Sequence, residues 1–155
     1  SVIWELCHDI DTLQYIYKKP KKIFSNITNS KYLKVNTSDI SISTLKFNNC
    51  DTNCTISLEM LSPILYRKLL VISLNNFYEI DLIRNIVIKK TKKKSYKYLF
   101  KSDRNLMFEN LMKKFLNNKK KSENFNFATL KDGIFVSRII NKMYESNKKN
   151  KFISI

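Results

Sequence analysis

Residues 132–155, "DGIFVSRIINKMYESNKKNKFISI", hold the clearest structural signal in the chain. Phe135, Val136, Ile139, Ile140 and Met143 recur at the spacing of one helical face, with Arg138, Lys142 and Glu145 lying outside it. Asp132 can cap the start of that helix, because its carboxylate accepts from the free amides of the first turn. By periodicity this is a core-facing helix. A basic turn, Asn147–Lys151, and a second apolar start at Phe152 follow it.

Working back from this helix, "NKKKSENFN" reads as a solvated loop, and Leu106, Leu111 and Phe115 with Met107 and Met112 predict a helix after Asp103 to about Asn118. The run "KKTKKKSYKYLFK" is a basic connector bearing aromatic residues. Upstream, "YEIDLIRNIVIKK" alternates on either side of Arg84 and Asn85, as a hairpin or one bent strand would. Ser62 before Pro63 is a helix start, predicting a helix from Pro63 to about Ile72. Alternation at Ile40, Ile42, Leu45, Phe47, Ile56 and Leu58 predicts short strands separated by polar turns. Ile3, Leu6, Ile10, Leu13 and Ile16 predict an opening helix that ends at the basic "KKPKK".

These elements predict an α+β fold, with a mixed helix and short-strand N-terminal part and a basic helical C-terminal part. The expected division is a mixed domain over 1–88, a basic linker over 89–101 and a basic helical segment over 102–155.

Composition narrows the partner class. In 155 residues there are 25 Lys against 4 Arg, one glycine (Gly133), one alanine (Ala128) and two prolines, a bias that follows A/T-rich codons. The formal net charge is +16, of which residues 1–60 carry +1 and residues 61–155 carry +15. A field of that sign attracts polyanions, and binding to them weakens as salt rises. No apolar run is long enough to span a membrane, since Arg67 and Lys68 interrupt "ILYRKLLVISL". The acids in "SVIWELCHDIDT" stand where a secretory signal would be basic, and three cysteines argue against a disulfide framework.

Few residues suit chemistry. Cys50 and Cys54 have a zinc-compatible gap and Cys7-His8 is a second soft pair, but adjacent side chains do not aim at one ion, so no metal is assigned. One glycine cannot build a phosphate-cradling loop. His8 and its neighbour Cys7 point apart on a helix, which disfavours a nucleophile and base pair. The reading is of a chain that is not an enzyme, with no cofactor and no small-molecule substrate. The basic segments carry more weight: Lys89, Lys90, Lys92, Lys93, Lys94 and Lys97 can contact phosphates, while Tyr96 and Tyr98 can stack on unpaired bases.

Phe135–Ile155 resembles the opening of the small-subunit ribosomal protein seven family. Val136, Arg138, Ile139, Ile140 and Asn141 match its first helix, and Lys148 and Lys149 match its lysine pair. Asn147 stands where the family has glycine, and Phe152 where it has a small residue of a second helix. The resemblance implies a structural, rRNA-binding protein of a mitochondrial small ribosomal subunit in the matrix. Its partners would be rRNA, neighbouring ribosomal proteins and a separate chain completing the domain. It adds Lys113, Lys114, Lys119, Lys120, Lys121, Arg138, Lys142, Lys148, Lys149 and Lys151 as RNA contacts, and makes Val136, Ile139, Ile140 and Met143 a docking face for a partner protein. Leu130–Tyr144, "LKDGIFVSRIINKMY", also resembles calponin-homology domains, which implies the alternative of an actin- or microtubule-binding module.

Overall fold

The structure, a computed structural model, describes residues 1–47, 52–101, 103–117 and 128–155. It divides into two compact units, Ser1–Ser62 with Asn126–Ile155, and Pro63–Phe125.

The first unit begins with the helices α1 (Val2–Glu5) and α2 (Cys7–Tyr17), separated at Leu6, whose φ of −106° and ψ of 23° leave the helical region. Val2, Ile3, Ile10 and Leu13 are buried, so the apolar spacing of the opening segment does face a core. Lys18, at φ 65°, turns the chain out of α2, and Pro20 opens β1 (Pro20–Thr28). Strands β2 (Ile40–Phe47) and β3 (Asn53–Glu59) follow. These pair antiparallel, and the last strand, which is β8 (Ile153–Ser154), adds to the other side of β1, giving the order β3-β2-β1-β8.

Alternation assigns the two faces of this sheet. Ile23 and Ser25 of β1, Ser41, Ser43, Leu45 and Phe47 of β2, and Ile56 and Leu58 of β3 are buried on one face. Against it pack Val136, Ile139, Ile140 and Met143 of the helix α4 (Leu130–Lys149). The helix forms where the sequence places it, one turn earlier than Asp132 alone suggests. Thr129 is the N-cap and Asp132 the third helical residue, reciprocating in a capping box: the Asp132 N–H donates to Thr129 Oγ1 (3.3 Å) and the Thr129 N–H donates to Asp132 Oδ2 (2.7 Å). The far end closes on Asn150, at φ 47° and ψ 44°, a left-handed position that Asn tolerates better than most residues.

The second unit is an antiparallel meander of β4 (Lys68–Ile72), β5 (Phe77–Asp81), β6 (Ile86–Lys90) and β7 (Ser95–Leu99), followed by the helix α3 (Arg104–Asn117). Asp81 Oδ1 accepts from the N–H groups of Ile83 (3.0 Å) and Arg84 (2.8 Å), and Asn85 at φ 55° completes the β5–β6 turn. None of the described side chains of this unit is buried.

Several expectations are corrected. The α+β arrangement with a basic helical C-terminal part gives way to two four-stranded antiparallel sheets with few helices. The boundaries expected near 88 and 101 both fall inside the second unit, the first of them within β6, and residues 89–101 hold strand residues: Lys89 and Lys90 end β6, and Ser95–Leu99 is β7. Pro63–Ile72 is not a helix. Lys68–Ile72 pairs with Phe77–Asp81 instead, and a run ending in two β-branched residues suits a pleated sheet better than a helix. The apolar start at Phe152 becomes a short strand rather than a second helix.

Candidate interaction surface

Register places eight side chains of β4–β7 on one face of the meander. One row across the strands is Leu69, Ile80, Val87 and Tyr98, and the next is Val71, Tyr78, Lys89 and Tyr96. Seven of the eight are apolar or aromatic. The Lys89 ammonium lies 5.7 Å from the centroid of the Tyr78 ring, a cation–π distance. The opposite face mixes charges and apolar groups: Lys68, Glu79, Asp81, Lys90 and Lys97 all fall there by alternation, and Lys68 Nζ meets Glu79 Oε1 at 2.7 Å. That ion pair raises the Lys68 pKa and lowers that of Glu79, in each case chiefly through their shared hydrogen bond.

Residues 91–94 join β6 to β7 in a tight turn. The Thr91 N–H donates to the Lys94 carbonyl (2.8 Å), and Thr91 Oγ1 accepts from the Lys94 N–H (2.9 Å). One threonine thus fixes the turn by its backbone and hydroxyl together, leaving Lys92, Lys93 and Lys94 exposed. The structure therefore brings Lys89, Lys92, Lys93, Lys94, Tyr96 and Tyr98 to one side and end of one sheet, while Lys90 and Lys97 point to the other face. Leu69, Ile80 and Val87 complete the surface. Their signal in the sequence is the alternation shared by three consecutive runs, which the predicted helix over 63–72 hides.

The remaining expected contacts are distributed differently. Lys113 and Lys114 are exposed on α3, with Lys113 Nζ 3.5 Å from Glu109. Lys119, Lys120, Lys121 and Cys50 lie outside the described residues. Arg138, Lys142, Lys148, Lys149 and Lys151 belong to the first unit. The ammonium groups of Lys142 and Lys149 reach Glu145 at 2.6 and 2.7 Å, and these two hydrogen bonds hold the Glu145 carboxyl down to about 2. Val136, Ile139, Ile140 and Met143 are buried against the chain's own sheet rather than offered to a partner. Cys7 and Cys54 are half-buried free thiols, burial pushes the Cys54 thiol up, and His8 is exposed on α2. Among the described residues no three metal-ligating side chains converge, and no helix is long and apolar enough to cross a membrane.

The carboxyl end of α4 shows what sequence reading missed. Strand β8 pairs only with Lys22 and Ile23, so β1 would run on with an unpaired edge. Ser146 Oγ instead accepts from the Ser25 N–H (3.0 Å) and donates to the Lys151 carbonyl (2.7 Å), and Asn147 Oδ1 accepts from the Ile27 N–H (2.7 Å). Helix side chains continue the ladder that the short strand leaves off. Ser43 and Ser25 extend this buried polar row, with Ser43 Oγ donating to Ser25 Oγ at 2.8 Å.

No protein-family model and no curated protein matches the chain. Solved structures do. An NAD-binding oxidoreductase from Klebsiella pneumoniae superposes with a TM-score of 0.78 at 8% identity, over 96% of this chain and 49% of its own. The transcriptional regulator Gal80p from Kluyveromyces lactis gives 0.74 at 18% identity, over 99% of this chain and 45% of its own. A super-repressor mutant of Gal80p from Saccharomyces cerevisiae gives 0.74 at 14%, over 99% and 49%. The chain thus spans about half the length of the structures it matches. The likeness overturns both earlier resemblances: α4 covers an antiparallel sheet instead of opening a helical rRNA-binding or calponin-homology domain. With them fall the ribosomal role, the rRNA and ribosomal-protein partners and the cytoskeletal alternative. What these sheets share with known proteins is the fold of one half of an oxidoreductase or of Gal80p.

Proposed function

We propose that this chain is the sheet-bearing part of an oxidoreductase-like protein, and that the nicotinamide dinucleotide of such a protein is held by a different stretch. The observation that supports this is the match of nearly the whole chain to about half of an NAD-binding oxidoreductase, through sheets that are antiparallel in every described pairing. Dinucleotides bind where parallel strands feed helices, at a glycine-rich turn whose backbone approaches the pyrophosphate. The residues present here do not fit that group. Gly133 lies inside α4, and a Cβ built on it meets no atom within 4 Å, so this glycine makes no room for a close approach.

The role left to the chain is architectural: two antiparallel sheets, one in each unit, on which a dinucleotide-bearing part or a protein partner is assembled. Titration of the full chain with NADH and with NADPH, followed by nicotinamide fluorescence, tests this. No saturable change is expected up to about 1 mM, well above the affinity range of sites built to hold a small ligand. Saturable binding in the micromolar range would overturn the reading.

A further inference from the structure

Beyond that role, we infer that the Leu69/Val71 face of the β4–β7 sheet docks an acidic amphipathic protein segment. No described side chain of this unit is buried, yet one sheet face is almost wholly apolar and aromatic, and such a face is stable when something covers it. Charge identifies the occupant. By alternation the carboxylates of β5, Glu79 and Asp81, lie on the opposite face, so the docking face carries one ammonium, Lys89, and no carboxylate. Three more ammonium groups, Lys92, Lys93 and Lys94, stand at its end in the turn that Thr91 fixes, and none forms a salt bridge with a described carboxylate. The segment's acids would pair with these cations, and its apolar side chains would lie over Leu69, Ile80 and Val87. The phenols of Tyr96 and Tyr98, 42% and 46% exposed, supply apolar area with a hydroxyl that can meet a carboxylate or carbonyl. A bare polyanion would offer the half-buried aliphatic row no apolar partner, and a neutral apolar segment would offer Lys89, Lys92, Lys93 and Lys94 no carboxylate.

The test is fluorescence anisotropy on the full chain with two labelled synthetic peptides of equal charge, one alternating Glu with Leu and Phe, the other poly-Glu, and with a single-stranded oligonucleotide. The amphipathic peptide should bind at least about tenfold tighter than either polyanion, the size expected when aromatic anchors contribute, and should weaken as salt rises from ~50 to ~200 mM. Tyr96→Ser with Tyr98→Ser should bring it to the poly-Glu level, and Lys92→Glu with Lys94→Glu should abolish the preference. Lys148→Glu, on α4 of the other unit, should leave it unchanged. Equal binding of all three probes, or equal loss from the Lys148 variant, would overturn the proposal by showing only general attraction to a basic chain.

Discussion

The Ser25 backbone N–H donates to the hydroxyl of Ser146, 3.0 Å away and 121 positions later in the chain. Both residues are buried, and the same hydroxyl donates onward to the Lys151 carbonyl. Ser146→Ala would leave a buried amide and a carbonyl without partners, so it should cost about 1–3 kcal/mol. Urea unfolding should show this as a lower midpoint with an unchanged slope. An unchanged midpoint would mean that water replaces the hydroxyl.

Met143 and Ile140 are wholly inaccessible beneath the same helix. Each truncation to Ala should remove about 2–5 kcal/mol through lost burial and the cavity left behind. Thermal melts of the isolated chain would detect it. Stability close to the parent's would contradict the placement of these side chains in the chain's own core.

Acid should loosen the first unit in a defined window. Glu145 is held at about 2 in the folded protein, against 4.5 ordinarily, by Lys142 and Lys149. Its contribution is complete above the ordinary value and disappears as pH falls from there through about 2. Asp39, buried and bonded by the Ser30 hydroxyl and amide, is also lowered, with the Ser30 side-chain bond as the largest cause, and its contribution is lost in the same direction. Melting temperatures of Glu145→Gln measured across that range should fall less steeply than those of the parent. Parallel curves would remove Glu145 from the acid response.

Asn150 holds a left-handed conformation at the end of α4. Replacement by Val, which resists positive φ, should destabilise by about 1–2 kcal/mol, while Asn150→Gly should stay within about 0.5 kcal/mol of the parent. Comparison of the two variants by chemical denaturation separates the backbone effect from loss of the side chain. Equal losses would argue for the Asn150 side chain instead.

Much of the local structure was legible because the physics is local. The spacing of Val136, Ile139, Ile140 and Met143 gave α4 its buried face, and Ile40 to Leu58 gave β2 and β3. The β5–β6 hairpin was readable around Asn85, whose side chain tolerates the positive φ such a turn requires. What failed depends on distant partners. In β1, Pro20 and two lysines mask a strand whose edge is completed by Ser146 and Asn147, more than a hundred residues away. Lys68–Ile72 is ambiguous alone and becomes a strand by pairing with β5. Lysine abundance made the 89–101 stretch look like a solvated linker, although Tyr96 and Tyr98 alternate there as strand residues do. In the candidate surface the sequence supplied the cations and tyrosines, but their aliphatic neighbours required the register.

The lacing of β8 and α4 onto β1 also sets an order of assembly. Strands β4–β7 join nearest neighbours through short turns, so this meander can form from contacts that lie close together along the polypeptide. The flanking unit cannot: its central strand, β1, waits for a helix and a strand that begin at Leu130 and Ile153. During synthesis the inserted sheet is therefore free to mature first, while the earlier half of the other unit stays open until α4 and β8 join it. Kinetic traps should concentrate in that interval, when Ile23 of β1 still lacks the cover of α4.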